Sequence, residues 1–260
     1  MCTLIVAWAV FEEAPVVVAA NRDEAVDRPS TPPRRRAPGS GTGPAVVAPR
    51  DERAGGTWIG YNDAGVFAGL SNRWSDRDLV GERSRGLLVG DALEHAGADS
   101  AVRAVEDALA ADAYAGFNLV IADAEAAVLL EWDGRLGITE FDPGVHVVTN
   151  AGFDDTFHAV PERPEAARAQ AQAAATVRSA LQPRAEETTD AWLDRAADVL
   201  ADHDVGVCVH GDGYGTRSSS LIALLADGTA TYRFADGPPC ETPFEPVDVE
   251  GVGGAAGAGD

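Results

Sequence analysis

The chain has 260 residues, of which 42 are acidic and 20 basic, giving a formal net charge of −22 at pH 7. Every basic residue is arginine. A surface this negative repels nucleic acid and anionic membranes, which excludes both as partners.

Acidity without lysine fits a halophilic, salt-saturated cytoplasm, where counterions screen self-repulsion over ~3 Å or less. No run approaches the ~20 apolar residues that cross a bilayer, so no membrane insertion is expected. Residues 1–11 are apolar but lack the positive leader and cleavage site of a signal peptide, so the expected location is cytoplasmic. Cys2, Cys208 and Cys240 are too few for a disulfide framework and suit a reducing compartment. The length supports one large core, with a domain over 1–242 and a Gly/Ala-rich disordered tail over 243–260.

In chain order, 3–10 and 15–20 are β-rich apolar runs joined by Phe11-Glu12-Glu13-Ala14, which reads as a hairpin. Counting back from the turn sets Cys2 opposite 21–24. Period-two alternation sends Asn21 and Asp23 to one face and Arg22 to the other, so Cys2 is expected to meet the Asn-x-Asp pair. Residues 28–49 read as a long Pro, Gly and Arg-rich loop. Strands are expected at 57–61, 66–70, 117–122, 127–132, 145–149, 205–209, 220–225 and 230–234, and helices at 86–96, 100–111, 164–181 and 189–202. Paired strands followed by paired helices suit two sheets covered by helices rather than a doubly wound sheet.

Cys2 is the most reactive prospect. Removal of Met1 would leave a thiol and a free α-amine on one residue, and an amine of reference pKa ~7.7–8.0 can shuttle a proton at neutral pH. Asp23 would orient that amine, with Asn21 as a neutral neighbour. The bland reading of Cys2 is an ordinary buried thiol at a strand start.

Met1-Cys2, Asn21-Arg22-Asp23-Glu24, Gly55-Gly56-Thr57-Trp58-Ile59-Gly60 and Tyr214-Gly215-Thr216-Arg217 together resemble the NRDE family, also called transport and Golgi organisation proteins. More distantly the chain resembles the choloylglycine hydrolase and penicillin V acylase group. That resemblance implies an α+β fold, the four-layer αββα sandwich of N-terminal-nucleophile hydrolases, and attack of a mature N-terminal cysteine on a non-peptide amide or related acyl bond. Carried over, it puts the nucleophile at Cys2, the amine-orienting carboxylate at Asp23, an oxyanion amide at Asn150 with Asn72 nearest the second asparagine, and a pocket arginine at Arg217. The hydrolases have an arginine three residues before the aspartate, where this chain has Ala20, leaving Arg22 as the cation at hand.

The resemblance implies no cofactor and a small-molecule amide or acyl substrate. The alternative is a non-catalytic protein binding haem, lipid or acyl-CoA, in which Cys2 or His210 would be the first axial ligands to test.

Other groups point less far. Cys208 and His210, with His203 close by, fall short of a full zinc set, so no metal is expected. Gly39, Gly41 and Gly43 lack the context of a phosphate loop, and Ser218 to Ser220 lack a nucleophile elbow. Arg34 to Arg36 read as a solvated charge run with a carboxylate clamp as the weaker alternative, and Trp58 and Trp74 as packing or pocket wall.

Overall fold

The structure, a computed structural model, describes residues 2–249 apart from Asp76 and Asp78. The apolar runs at the start form β1 (Thr3–Phe11) and β2 (Ala14–Ala25), joined at Glu12 and Glu13. They pair antiparallel with Leu4 opposite Ala20 and Val6 opposite Val18. Both faces of this hairpin are buried, which is why its sequence is nearly continuously apolar. Ile5, Ala7, Val17 and Ala19 pack one way and Leu4, Val6, Val16 and Val18 the other.

The chain continues through β3 (Ser30–Arg36), β4 (Val46–Asp51), β5 (Ile59–Asn62) and β6 (Phe67–Asn72), then α1 (Arg85–Ala92) and α2 (Ala98–Ala111). Next come β7 (Phe117–Ala122), β8 (Ala127–Trp132), β9 (Leu136–Glu140), β10 (Gly144–Val148), β11 (Gly152–Phe153) and β12 (Thr156–Phe157). The helices α3 (Pro164–Ala180) and α4 (Thr189–Ala201) precede β13 (Tyr214–Leu224), β14 (Ala230–Ala235) and β15 (Glu245–Pro246). Helix starts carry the expected chemistry: Ser84 and Thr188 side chains accept backbone N–H groups of Gly86 and Ala191, and Pro164 opens α3.

Among the described residues the strands form two sheets, β12-β11-β10-β1-β2-β13-β14-β15 and β3-β4-β5-β6-β7-β8-β9. Leu4, Val16 and Val18 meet Phe67, Val120 and Leu129 between the sheets. On the far side of the first sheet, Ala174, Val177, Trp192 and Leu200 of α3 and α4 cover Ile5, Val17 and Leu221. On the far side of the second, Leu88, Val89, Ala101 and Val105 of α1 and α2 cover Ala68, Leu119 and Leu130. This is the four-layer αββα sandwich. Trp192 is fully buried, and its indole N–H is satisfied by the Leu181 carbonyl at 2.9 Å.

Three expectations differ from the fold. Residues 28–49 hold β3 and much of β4. Pro32 and Pro33 hid the strand, yet β3 is the sheet edge and the prolines sit where its pairing with β4 shifts, between Thr31 and Arg34. Residues 205–209 form no strand. Gly206 adopts φ +79°, the run turns, and only an isolated bridge links His210 to Gly215. Within the expected tail, β15 pairs with β14 through Glu245 and Phe234, while 250–260 lie outside the described residues. The half-exposed β9 carries little apolar signal and was not expected.

β13 contains one irregularity. Thr216 pairs with Asp23 and Ser218 with Arg22, so Arg217 is an extra residue bulged out of register.

Candidate active site

Thr3 lies opposite Asn21, so the next step along the hairpin sets Cys2 against Arg22. The Cys2 thiol is held by the main chain of β2: it donates to the Asp23 carbonyl and accepts the Asp23 N–H, both at 3.4 Å. A cavity lies beside it, walled by Cys2, Arg22, Asp51, Trp58, Asn72 and Arg85 among others.

Arg22 is the organising cation. Its guanidinium stacks 4.0 Å from the centre of the Trp58 ring, and its Nη2 bonds the Asp51 carboxylate at 3.0 Å. Its Nη1 is buried and has no partner. Arg28 closes the group, donating to the same Asp51 oxygen at 2.6 Å, and Glu24 stands 3.8 Å from both arginines. Burial opposes the charge on Asp51, but hydrogen bonds from Arg28 and the Ala54 N–H, with Arg22 nearby, hold its carboxyl below the usual range.

Burial pushes the Cys2 thiol up. The positive amino terminus, then Arg22 and Arg85, pull it back toward the thiolate, against Glu24. Arg85 starts α1 and donates to the Gly116 carbonyl at 2.7 Å. Two arginines therefore supply the cationic field that position 20, an alanine on the cavity wall, does not.

Asn21 and Asp23 share the opposite face of β2 from Arg22, as alternation requires, so the Cys2 thiol, set against Arg22, points away from their side chains and meets only the Asp23 main chain. Asn21 lines the cavity wall, but its amide is spent on the fold: Nδ2 donates to the carbonyls of Leu200 (3.0 Å) and Val207 (2.9 Å), and Oδ1 accepts from Ser219 (2.6 Å). The Asp23 carboxylate accepts from Thr216 Oγ1 at 2.7 Å, and that hydroxyl oxygen takes the Val209 N–H at 2.9 Å.

Asn150 follows β10. Leu4 pairs with Val148, the last residue of that strand, and Asn150 lies in the turn that follows, beside the start of β1. Its Nδ2 donates to the Asn72 carbonyl at 2.7 Å and its Oδ1 accepts from Gln170 at 3.2 Å. Asn72 lines the cavity, whereas Asn150 is tucked behind it and buried. Arg217 is elsewhere: it bonds Asp236 at 3.0 Å and does not line this cavity. Arg35 and Arg36 are likewise engaged, with Asp63 and with the carbonyls of Ala48 and Pro49.

The model of the family described as "Transport and Golgi organisation 2" matches residues 1–234. The chain belongs to that family. Members to which it is similar include the transport and Golgi organization protein 2 homologues of Bos taurus, 29% identical, and Homo sapiens, 28% identical; each match covers 84% of both chains. Its fold matches penicillin V acylase from Agrobacterium tumefaciens, with a TM-score of 0.57 at 19% identity over 90% of this chain and 83% of that one. It also matches a Caenorhabditis elegans orthologue of N-acylethanolamine-hydrolyzing acid amidase, TM-score 0.55 at 14% identity, over 85% of this chain and 92% of that one. These likenesses establish the N-terminal-nucleophile hydrolase fold for this family member.

Sequence reasoning missed Arg85, Arg28, Asp51 and Ser218, all on the cavity wall. A signal for Arg85 exists in two glycines. A Cβ on Gly56 would overlap the Gly86 carbonyl group, and the Thr57 N–H bonds the Gly86 oxygen at 2.9 Å, so the Gly55-Gly56-Thr57 segment seats the start of α1.

Proposed function

We propose that this protein is a cysteine amidohydrolase of the N-terminal-nucleophile type, acting on a small linear amide or related acyl bond. The observation that carries this reading is the Cys2 thiol on a cavity wall beside two arginines, the buried Arg22 and the half-buried Arg85, whose charges favour its thiolate. Removal of Met1 frees an α-amine on the nucleophile itself. The Cys2 sulfur attacks the acyl carbon, and the proton it sheds passes through the α-amine to the leaving nitrogen. Asp23 orients that amine from the neighbouring strand. Asn150 and Asn72 serve the developing oxyanion at the end of β10 and β6. Water then enters and hydrolyses the thioester, regenerating Cys2.

Arg22 Nη1 and Ser218 Oγ are buried, unpartnered and on residues of the cavity wall, which suits a substrate bearing an acceptor such as a carboxylate or second carbonyl. Ser218 owes that position to the bulge at Arg217. In this reading Arg22 and Arg85 do the work first assigned to Arg217. The acid-rich, lysine-free composition is taken as adaptation to high salt in the cytoplasm, so assays belong at molar potassium chloride.

The test is intact mass together with turnover on a panel of small N-acyl amides. The mature chain should begin at Cys2, Cys2→Ala should abolish turnover with the fold intact, and Cys2→Ser should retain a weak rate. Full turnover in Cys2→Ala would remove the nucleophile assignment. A parent without turnover whose haem or acyl-CoA binding is unchanged by Cys2→Ala would favour the binding class instead.

A further inference from the structure

A second cluster of reactive side chains lies outside the Cys2 cavity. His203 follows α4, Cys208 and His210 lie in the turn before β13, and Cys240 comes in beyond β14. One ligand atom from each falls within 4.8 Å of all the others. The closer distances are 3.5 Å between the Cys208 and Cys240 sulfurs, 3.1 Å from His210 Nε2 to the Cys240 sulfur and 3.7 Å from His210 Nε2 to the Cys208 sulfur. The His203 and His210 rings lie 5.1 Å apart, tilted by 49°.

Those separations are the edges of a coordination polyhedron. With Zn–S ~2.3 Å and Zn–N ~2.0 Å, a tetrahedral centre sets sulfurs ~3.7 Å apart and each nitrogen ~3.5 Å from a sulfur. The three observed edges lie within a few tenths of an ångström of these, and the His203 ligand atom stands within 4.8 Å of the other three. The donor set, two thiols and two imidazoles, is one that zinc takes in four-coordinate structural sites.

We propose that His203, Cys208, His210 and Cys240 form a structural zinc site. Four protein ligands fill the tetrahedron and leave no position for a substrate, so the metal acts as a staple rather than a catalyst. What it holds is the turn that serves the back of the catalytic strand. Val207 gives its carbonyl to Asn21, and Val209 exchanges hydrogen bonds with Thr216, whose hydroxyl donates to Asp23. Zinc would fix that turn to the segment after β14, where Cys240 resides. His203, His210 and Cys240 are exposed, so the site can load in the folded protein, while Cys208 is the buried anchor.

The sequence spacing concealed this site because Cys240 lies one hairpin away, beyond the His-Cys-x-His grouping. The experiment uses the reduced full-length chain, titrated with zinc or cobalt and analysed for metal content. One metal per chain is expected, and cobalt should give the intense visible absorption and thiolate charge-transfer bands of a tetrahedral sulfur and nitrogen centre. Cys240→Ser and His203→Ala each change an exposed residue and should leave the fold intact. Each should weaken affinity by more than the ~10–100-fold that outer-shell partners cost. Cys2→Ala should bind one metal with unchanged affinity. The proposal is overturned if the reduced chain binds neither metal, if Cys2→Ala loses the metal while Cys240→Ser keeps it, or if native material has Cys208 and Cys240 joined as a disulfide.

Discussion

Asn21 opens the motif that names the family group, yet its side chain faces the helices, and replacing it separates scaffold from catalyst. Asn21→Leu keeps the volume and removes three hydrogen bonds, leaving the Leu200 and Val207 carbonyls and the Ser219 hydroxyl buried without their partner. Each bond contributes on the order of 1–1.5 kcal/mol net, so the loss is about 4 kcal/mol. That is a large part of a stability of ~5–15 kcal/mol. With a urea m-value of ~3 kcal/mol/M, the midpoint falls by ~1.3 M. The assay is urea unfolding by tryptophan fluorescence at fixed salt, paired with iodoacetamide labelling of Cys2 in the folded variant. Labelling should change little. A midpoint lowered by less than ~0.3 M, or Cys2 labelling slowed many-fold without loss of structure, would refute the scaffold role and return Asn21 to the chemistry.

Asn150→Ala should lower kcat by roughly a hundred-fold or more with KM little changed, since an oxyanion donor acts in the transition state; a raised KM with normal kcat would make Asn150 a ground-state binding residue. Arg22→Gln removes a cation that favours the Cys2 thiolate, so the thiol pKa rises and the pH profile of alkylation moves to higher pH, read by mass spectrometry across a pH series; no displacement would mean that Arg22 does not act on the thiol. Gly56→Ala forces a methyl group into the Gly86 carbonyl and should destabilise the fold by about 1–3 kcal/mol in urea melts; an unchanged midpoint would show that α1 yields freely there.

The parts legible in the sequence were those in which local pattern and tertiary role agree. The β1/β2 hairpin and four helices carry their periodicity openly, and the register that follows from the hairpin sets Cys2 opposite Arg22. What stayed hidden was set by partners distant in the chain. Pro32 and Pro33 look like breakers until β3 is known to be a sheet edge. Val205 and Val207 look like a strand until Gly206 turns the chain and the Val207 carbonyl is claimed by Asn21. Arg85 could not be placed near Cys2 without the contact between Gly56 and Gly86, and nothing local marks Asp51 as the shared anion of Arg22 and Arg28.

The bulge at Arg217 changes the parity of β13. Thr216 and Ser219 both serve the helix-facing side, bonding Asp23 and Asn21, although three positions separate them and an unbroken strand would set them on opposite sides. Ser218 and Ser220 are thereby left to the cavity wall. The run from Thr216 to Ser220 thus works as a reading frame with one shift built in. Deleting a single residue there would exchange the hydroxyls of the two faces on one side of the cut, stripping Asp23 of its donor while delivering misplaced polar groups to the helical core. Substitution at Arg217 should therefore be mild and its deletion severe, while a change of length in the turn at 225–229, where β13 has already ended, leaves that frame intact.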